Sequence, residues 1–348
     1  MATTIPRITV LGSLNIDLVS YVPHHPLPGE TLTANSVAVS TGGKGANQAV
    51  ACAKLSRSRP QPSSSTSSSS TEAGANDAET HATAHVSMLG AVGDDSYGTL
   101  LRTNLAAHGV DVSGVSVRAG LKTGMAFIVV DAPTGQNRII LSPEANHAIT
   151  ASEVEDVAGE LGGKLWGLGS VDLLIMQLEI PLAAVLAALK CAKERGVNVL
   201  LNPAPAQTLP DEAYDGLAHL VVNETEAAML GGCEVSVLDD EAGLESVARG
   251  FVEKGVKNVI ITLGGRGVYF MSEGGGKKGL VPAEEAKVVD TTAAGDTFVG
   301  QYALEAVAVK EGEEFDVERA VRKANRASAR TVERAGAQDS IPWRDELL

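Results

Sequence analysis

Short β-branched runs recur along this chain with helix-patterned stretches between them, and that alternation limits the fold more than any other feature. Arg7–Ile8–Thr9–Val10–Leu11–Gly12 reads as a first strand ending in glycine. Comparable runs follow at His85–Leu89, Val171–Met176, Val197–Leu201, Leu220–Val222 and Asn258–Leu263. Leu182–Arg195 and Glu224–Leu230 carry helical patterning between them. Such alternation implies βαβ units: an α/β fold of three layers, with helices on both faces of a mostly parallel sheet and ligands at the carboxyl ends of its strands. Hydrophobic residues make up 44% of the chain but aromatics only 3%, so the core is built from Ala, Val, Leu and Ile. That palette suits a helix-covered sheet better than a β-sandwich. The 348 residues suffice for one large domain, with or without a small attachment.

Two stretches break the rhythm. Residues 18–40 are extended and punctuated by the turn Leu27–Pro28–Gly29–Glu30, and residues 124–141 read as a hairpin turning at Pro133–Thr134–Gly135–Gln136. Together they are expected to form a small separate β-sheet that covers a site. Residues 56–84 form a Ser-rich insert, with seven serines between Ser63 and Ser70. Such a segment buries too little apolar surface to offset its ordering entropy, and disorder is expected there. His81 and His85 share helical metal-ligand spacing, but a chance pair beside this tract is the better reading and no metal is expected. No fixed-period repeat is present.

Twenty-eight basic against 43 acidic residues leave a net charge of −15, which disfavours nucleic acid and anionic membranes as partners. ATP remains compatible, because local backbone dipoles hold a phosphate against an unfavourable global field. The cysteines Cys52, Cys191 and Cys233 are scattered without a CxxC, so a reducing compartment is expected. Met1–Arg7 lacks the apolar core of a signal peptide, and Val171–Ala192 is interrupted by charged residues and proline. A cytoplasmic protein is expected, with the nucleus also open.

The strongest chemical signal is Asp290–Thr291–Thr292–Ala293–Ala294–Gly295–Asp296–Thr297–Phe298, small residues running into an acid where a helical pattern begins. N–H groups from Ala293 to Asp296 at a helix N-terminus could hold developing phosphoryl charge, and Asp296 could accept a proton from an attacking hydroxyl. A helix cap or first-turn acid explains the same segment equally well. Ser40–Thr41–Gly42–Gly43–Lys44–Gly45–Ala46–Asn47 is a glycine cluster opening a helix; it is not a GxxxxGK[ST] loop, and it reads either as a structural turn or as a polyol site. Asn15 and Asp17 project to one side of an extended segment, a carboxylate with an amide of the kind a vicinal diol needs. Glu179 follows the strand ending at Met176. Asn223 reads as a cap, with Glu226 able to hold a water of a Mg²⁺ ion. The run Thr262–Leu263–Gly264–Gly265–Arg266–Gly267 serves as a phosphate loop or as a hairpin turn into Val268–Met271.

Taken in order, these segments resemble the PfkB carbohydrate kinases, most closely the branch that acts on D-ribose. The resemblance runs from about Ile8 to Trp343 and omits the insert. It rests on Asn-Ile-Asp at 15–17, Pro-Gly-Glu-Thr at 28–31, Gly-Gly-Lys-Gly-Ala-Asn-Gln-Ala at 42–49 and Gly-Asp-Asp-Ser-Tyr-Gly at 93–98. It rests also on Asn-Pro-Ala-Pro-Ala at 202–206, Asn-Glu-Thr-Glu at 223–226, Ala-Ala-Gly-Asp-Thr-Phe at 293–298 and Gly-Ala-Gln at 336–338.

The resemblance implies a single kinase domain that phosphorylates D-ribose at O5, with Asp296 as base and Ala293, Ala294 and Gly295 framing an anion hole. It places the sugar among Asn15, Asp17, Gly43, Lys44, Gly45, Ala46, Asn47 and Glu179. It places ATP at Asn223, the loop from Thr262 to Gly267, Gly295, Asp296 and Asn325, with Glu226 near Mg²⁺. It implies activation by K⁺ at Asp290, Thr292, Thr331, Arg334, Gly336 and Ser340, several through backbone carbonyls. The two β stretches become a lid that also forms a homodimer contact. Ala293 stands where many members carry glycine, and the insert is foreign to compact bacterial forms; it is expected on the surface, away from the sugar. Sister kinases for fructose, ketodeoxygluconate or a nucleoside, and a non-catalytic sensor on the same fold, are the alternatives. A dinucleotide-binding dehydrogenase is disfavoured because Gly12–Ser13–Leu14–Asn15 supplies no GxGxxG.

Overall fold

The structure is a computed structural model that describes residues 5–60, 82–159, 171–309 and 312–348. In chain order its first half comprises β1 (Arg7–Leu11), β2 (Asn15–Val22), β3 (Ser36–Gly42), α1 (Lys44–Ser56), β4 (His85–Gly93), α2 (Ser96–Ala107), β5 (Val115–Arg118), β6 (Gly124–Asp131), β7 (Asn137–Ser142) and α3 (Ala151–Gly159). Then follow β8 (Leu173–Met176), α4 (Leu182–Glu194), β9 (Asn198–Leu201), β10 (His219–Asn223), α5 (Glu224–Gly231), α6 (Glu241–Glu253) and β11 (Asn258–Thr262). The chain ends through β12 (Val268–Ser272), β13 (Lys278–Val281), α7 (Ala294–Val307) and α8 (Val317–Val332).

The large sheet runs β13-β12-β11-β10-β9-β8-β1-β4-β5. From β5 to β11 every neighbour is parallel, and β12 and β13 close one edge as antiparallel strands. Alternate strand residues feed two cores. Ile8, Val10, Met88, Ile175 and Val221 pack with α1, α7 and α8 on one face; Leu11, Leu174, Met176, Leu220 and Val222 pack with α4, α5 and α6 on the other. Burial on both faces is why these strands read as continuous apolar runs rather than alternating ones. The predicted strands and helices appear within a few residues of their expected ends; β5, β13 and the helices α2, α3, α6 and α8 were not foreseen.

The interrupting stretches form the expected second sheet, ordered β3-β2-β6-β7. Its register aligns Val39, Leu18, Phe127 and Ile140 in one row across all four strands. Val39, Phe127 and Ile140 are exposed.

The predicted disorder of the Ser-rich insert lies largely outside the described residues, 61–81 above all. Its base is defined: the Thr83 N–H donates to the Ser56 carbonyl at 2.9 Å, so the two ends meet at the C-terminal end of α1. At about 1.5 Å rise per residue, that end stands roughly 18 Å from Lys44 at the other.

Candidate active site

Two helices and the end of β1 define the site. Gly43 adopts φ of 87°, and a Cβ there would lie 2.7 Å from the Asn15 nitrogen; a Cβ on Gly45 would lie 2.6 Å from the Ser13 nitrogen. Only glycine lets the start of α1 press against Ser13–Asn15. Gly45 and Ala46 were expected among the sugar ligands. Their N–H groups instead pair with the Ser13 hydroxyl at 3.4 Å and the Ser13 carbonyl at 2.9 Å, so they lock this junction rather than face a ligand.

The second helix is α7, and it lies directly on α1. A Cβ on Gly300 would meet the Ala51 Cβ at 2.5 Å and the Cys52 nitrogen at 2.9 Å, so this glycine sets the closeness of the two helices. One turn up each helix from that contact, Asp296 meets Asn47 and Gln48. Oδ2 accepts from Asn47 Nδ2 at 3.0 Å, and Oδ1 accepts from Gln48 Nε2 at 3.0 Å. Asp296 is buried in the first turn of α7, whose cap residue is Ala293 in the left-handed region at φ 59° without a side-chain capping bond. The carboxylate therefore faces α1 rather than capping its own helix, and it stands in the first turn, where the helix dipole favours an acid. Amide donors to a charged acceptor contribute about 1.5–3 kcal/mol each.

The anion hole differs in one detail from expectation. The Ala294 N–H is engaged with the Thr291 carbonyl at 3.3 Å, whereas among the described residues no partner is seen for the N–H groups of Ala293, Gly295 and Asp296. Three of the four expected amides thus stand unpaired at the N-terminus of α7, where the helix dipole favours an anion.

Acids gather opposite. Glu179 Oε2 accepts from the Ser13 hydroxyl at 2.5 Å, the Lys44 N–H at 3.0 Å and Asn15 Nδ2 at 3.5 Å. Burial, reinforced by Glu179 and Asp296, pushes the Asp17 carboxyl up to about 7. For the Lys44 ammonium burial opposes charge, yet Asp296, Glu179 and Glu226 together raise its pKa above the ordinary value, and it remains the cation among these carboxylates. Asn15, Asp17, Gly43, Lys44, Asn47, Glu179 and Asp296 are thus brought to one place.

Next to these acids a cavity is lined by Lys44, Asn223, Glu226, Thr262, Gly295 and Asp296. Asn223 caps α5 as expected, in a reciprocal pair: the Glu226 N–H donates to Asn223 Oδ1 at 2.8 Å, and the Asn223 N–H to Glu226 Oε2 at 2.9 Å. Burial raises the Glu226 pKa. A single carboxylate with one oxygen so engaged suits a Mg²⁺ ion that keeps its waters. Beyond Thr262, Leu263 is buried and Gly264–Arg266 form a tight 3₁₀ turn that Gly267, at φ 103°, leads into the antiparallel β12, so the hairpin reading holds for this segment. Arg266 points away from the cavity, paired with Glu224 and with the carbonyls of Leu238 and Asp239 at 3.0 Å. Asn325, half-buried, donates to the Pro282 carbonyl at 3.1 Å.

Behind the anion hole, Asp290 accepts from the Thr292 N–H at 2.9 Å and hydroxyl at 2.6 Å, and from the Gly336 N–H at 2.9 Å. Burial opposes ionisation there, but these hydrogen bonds outweigh it and lower the Asp290 pKa. The side chains of the other expected positions turn elsewhere: Thr331 to Thr297, Arg334 to Glu346, Ser340 to the Ala337 carbonyl.

Several site residues were not anticipated. Asn146, fully buried, donates to Asn15 Oδ1 at 2.7 Å and to the Leu14 carbonyl at 3.1 Å, and accepts from the Leu14 N–H at 2.9 Å. It sits in a short 3₁₀ turn after β7, with no pattern to mark it. Gln48 and Asn202 were inside quoted motifs but assigned no role; Gln48 Nε2 also donates to Asn202 Oδ1 at 2.9 Å. Gly-Asp-Asp-Ser-Tyr-Gly proves structural: Asp95 caps α2 through the Gly98 N–H at 2.8 Å and accepts from Thr123 just before β6.

A sheet with ligand groups at its carboxyl edge, a helix N-terminus with unpaired amides and a carboxylate aimed beside them define a small-molecule phosphotransferase site. The chain belongs to the pfkB family of carbohydrate kinases, whose family model matches residues 6–344. It is 42% identical to a ribokinase of Schizosaccharomyces pombe, over 97% of this chain and 95% of that protein. It is 38% identical to a ribokinase of Haemophilus influenzae, over 98% and 97%. The solved structure of Arabidopsis thaliana ribokinase complexed with ribose and ATP superposes with a TM-score of 0.78 at 27% identity, covering 99% of this chain and 98% of that one. No described helix is long and apolar enough to cross a membrane.

Proposed function

We propose that this chain transfers the γ-phosphoryl group of ATP to O5 of D-ribose, giving D-ribose 5-phosphate and ADP. The observation that carries the reading is the Asp296 carboxylate, held by amides of α1 beside the unpaired N–H groups of α7 and facing Asp17 and Glu179. The sugar's hydroxyls meet Asn15, Asp17, Lys44, Asn47 and Glu179, a set rich in acceptors that matches a polyol. Asp296 takes the O5 proton as the O5–phosphorus bond forms, and the bond from γ-phosphorus to the bridging oxygen breaks to release ADP. The Gly295 and Asp296 N–H groups hold the charge that develops on the equatorial oxygens.

A Mg²⁺ ion near Glu226 would neutralise charge on the triphosphate. A K⁺ ion at Asp290 and the neighbouring carbonyls would stiffen the loop that presents the anion hole. The small sheet acts as the lid of a single kinase domain and excludes water, which otherwise competes with sugar as acceptor. Val39, Phe127 and Ile140, exposed in one row with the half-buried Leu18, support a homodimer formed through the lid.

The test is a coupled ADP-release assay with ribose, deoxyribose, fructose, ketodeoxygluconate and adenosine. Ribose is expected to give the highest kcat/KM; preference for another sugar moves the assignment to that sister kinase, and no sugar-dependent ADP release overturns it. Exchanging K⁺ for Na⁺ in the same assay is expected to lower turnover, and indifference removes the cation site.

A further inference from the structure

Gly-Ala-Gln at 336–338 belongs to the family pattern, yet the mechanism above gives Gln338 no task. Its side chain is buried, as are those of Asn47 and Gln48. Gln338 Nε2 donates to Asn47 Oδ1 at 3.0 Å; its Oε1 accepts from Thr41 Oγ1 at 2.9 Å and from Asn104 Nδ2 at 2.5 Å. Its carbonyl accepts from Lys54 Nζ at 3.1 Å, and the Lys54 ammonium lies 5.4 Å from the centre of the Trp343 ring. Thr41 is on the lid strand β3 and Asn104 on α2.

We propose that Gln338 is a positioning residue for the base: acting through Asn47, it fixes which way the amide holding Oδ2 of Asp296 faces, and it ties that amide to the inner end of the lid. The proposal rests on the reading of Asp296 as base. An ionised carboxylate only accepts, so Asn47 must present Nδ2 to Asp296 and Oδ1 to Gln338. Gln338 must then present Nε2 to Asn47 and Oε1 outward, where Thr41 and Asn104 donate. Carboxamide oxygen and nitrogen are nearly equal in shape, so packing alone does not choose between the two orientations. Reversing any amide in this series sets two acceptors face to face in a buried site, and an unpaired buried acceptor is costly. With Asn47 reversed, its oxygen would confront the Asp296 carboxylate and turn it out of line with the sugar hydroxyl.

The polarity of the chain separates this role from simple packing. Gln338→Glu keeps the shape and replaces the donor to Asn47 by an acceptor; Gln338→Ala removes the group and leaves Asn47 free to keep its orientation. The proposal expects kcat to fall about 100-fold in Gln338→Glu and about tenfold in Gln338→Ala, with the KM for ATP changed less than about threefold in both. A packing role gives the opposite order, with alanine the more damaging. Asn104→Asp, on a separate helix, forces Gln338 to turn over and is expected to reproduce the loss from the outer end; it also serves if Gln338→Glu does not fold, which a thermal melt reports. Wild type and Asp296→Asn are measured alongside. If wild type turns over ribose and Asp296→Asn does not, the reading of the base stands. In that case kcat for Gln338→Glu at or above that of Gln338→Ala, or kcat for folded Asn104→Asp near wild type, overturns the relay alone.

Discussion

Gly300→Ala tests how the site is held together. The added Cβ would stand 2.5 Å from the Ala51 Cβ, against about 3.4 Å for the nearest ordinary contacts, and it also meets backbone atoms of Ala51 and Cys52. Neither helix is flexible there, so α7 and α1 must separate by about 1 Å at this level. One turn away the same displacement stretches the 3.0 Å bonds from Asn47 and Gln48 to Asp296 toward 4 Å. Overpacking of this kind costs about 1–3 kcal/mol, and alanine in a helix interior returns about 1 kcal/mol relative to glycine. Net stability is therefore expected to fall by only about 0–2 kcal/mol, while misplacement of the base by about 1 Å lowers kcat by about 100-fold. Steady-state kinetics beside a urea melt separate the two effects. A variant whose kcat stays within about threefold of wild type would refute the claim that the α1–α7 spacing sets the geometry of Asp296.

Asn146→Ala removes three buried hydrogen bonds and strands both backbone groups of Leu14. A loss of about 2–4 kcal/mol in chemical denaturation and a ribose KM raised about tenfold are expected, and no change in either contradicts its role. Asp17 is raised from 3.8 to about 7 in the folded protein, chiefly by burial, so the native state holds a proton that the unfolded chain has released. Its contribution therefore weakens stability progressively as pH rises from about 4 to about 7. Asp17→Asn is expected to be the more stable protein above neutral pH, by up to about 3–4 kcal/mol, with the difference vanishing near pH 4; a difference that does not vary with pH contradicts this. Replacing residues 61–81 by a short glycine linker is expected to leave kcat/KM within about twofold, because the base of the insert lies at the far end of α1. Loss of sugar binding in the folded deletion would place the insert at the site.

The sheet was legible because its strands are buried on both faces, so their apolar runs need no partner to be recognised. The edge strand β13 was not: Lys278–Val281 is short and half exposed, and its pairing with β12 is a tertiary fact. At the site, acids and glycines that close a strand or open a helix stood out, and Asn15, Asp17, Gly43, Lys44, Asn47, Glu179 and Asp296 converge as read. Roles that depend on what lies opposite stayed hidden. Gly45 and Ala46 look like ligands until Ser13 is seen against them. Arg266 looks like a phosphate contact until Glu224 and two carbonyls engage it. Asn146, more than a hundred residues from Asn15, carries no local sign of the bond they share.

Transfer of labelled γ-phosphate to ribose by Asp296→Asn, with ribose affinity measured calorimetrically on the same sample, probes the base itself. Turnover lower by roughly 10²–10⁴-fold with ribose still bound is the expected result. Turnover near that of wild type would mean that the proton leaves O5 by another route.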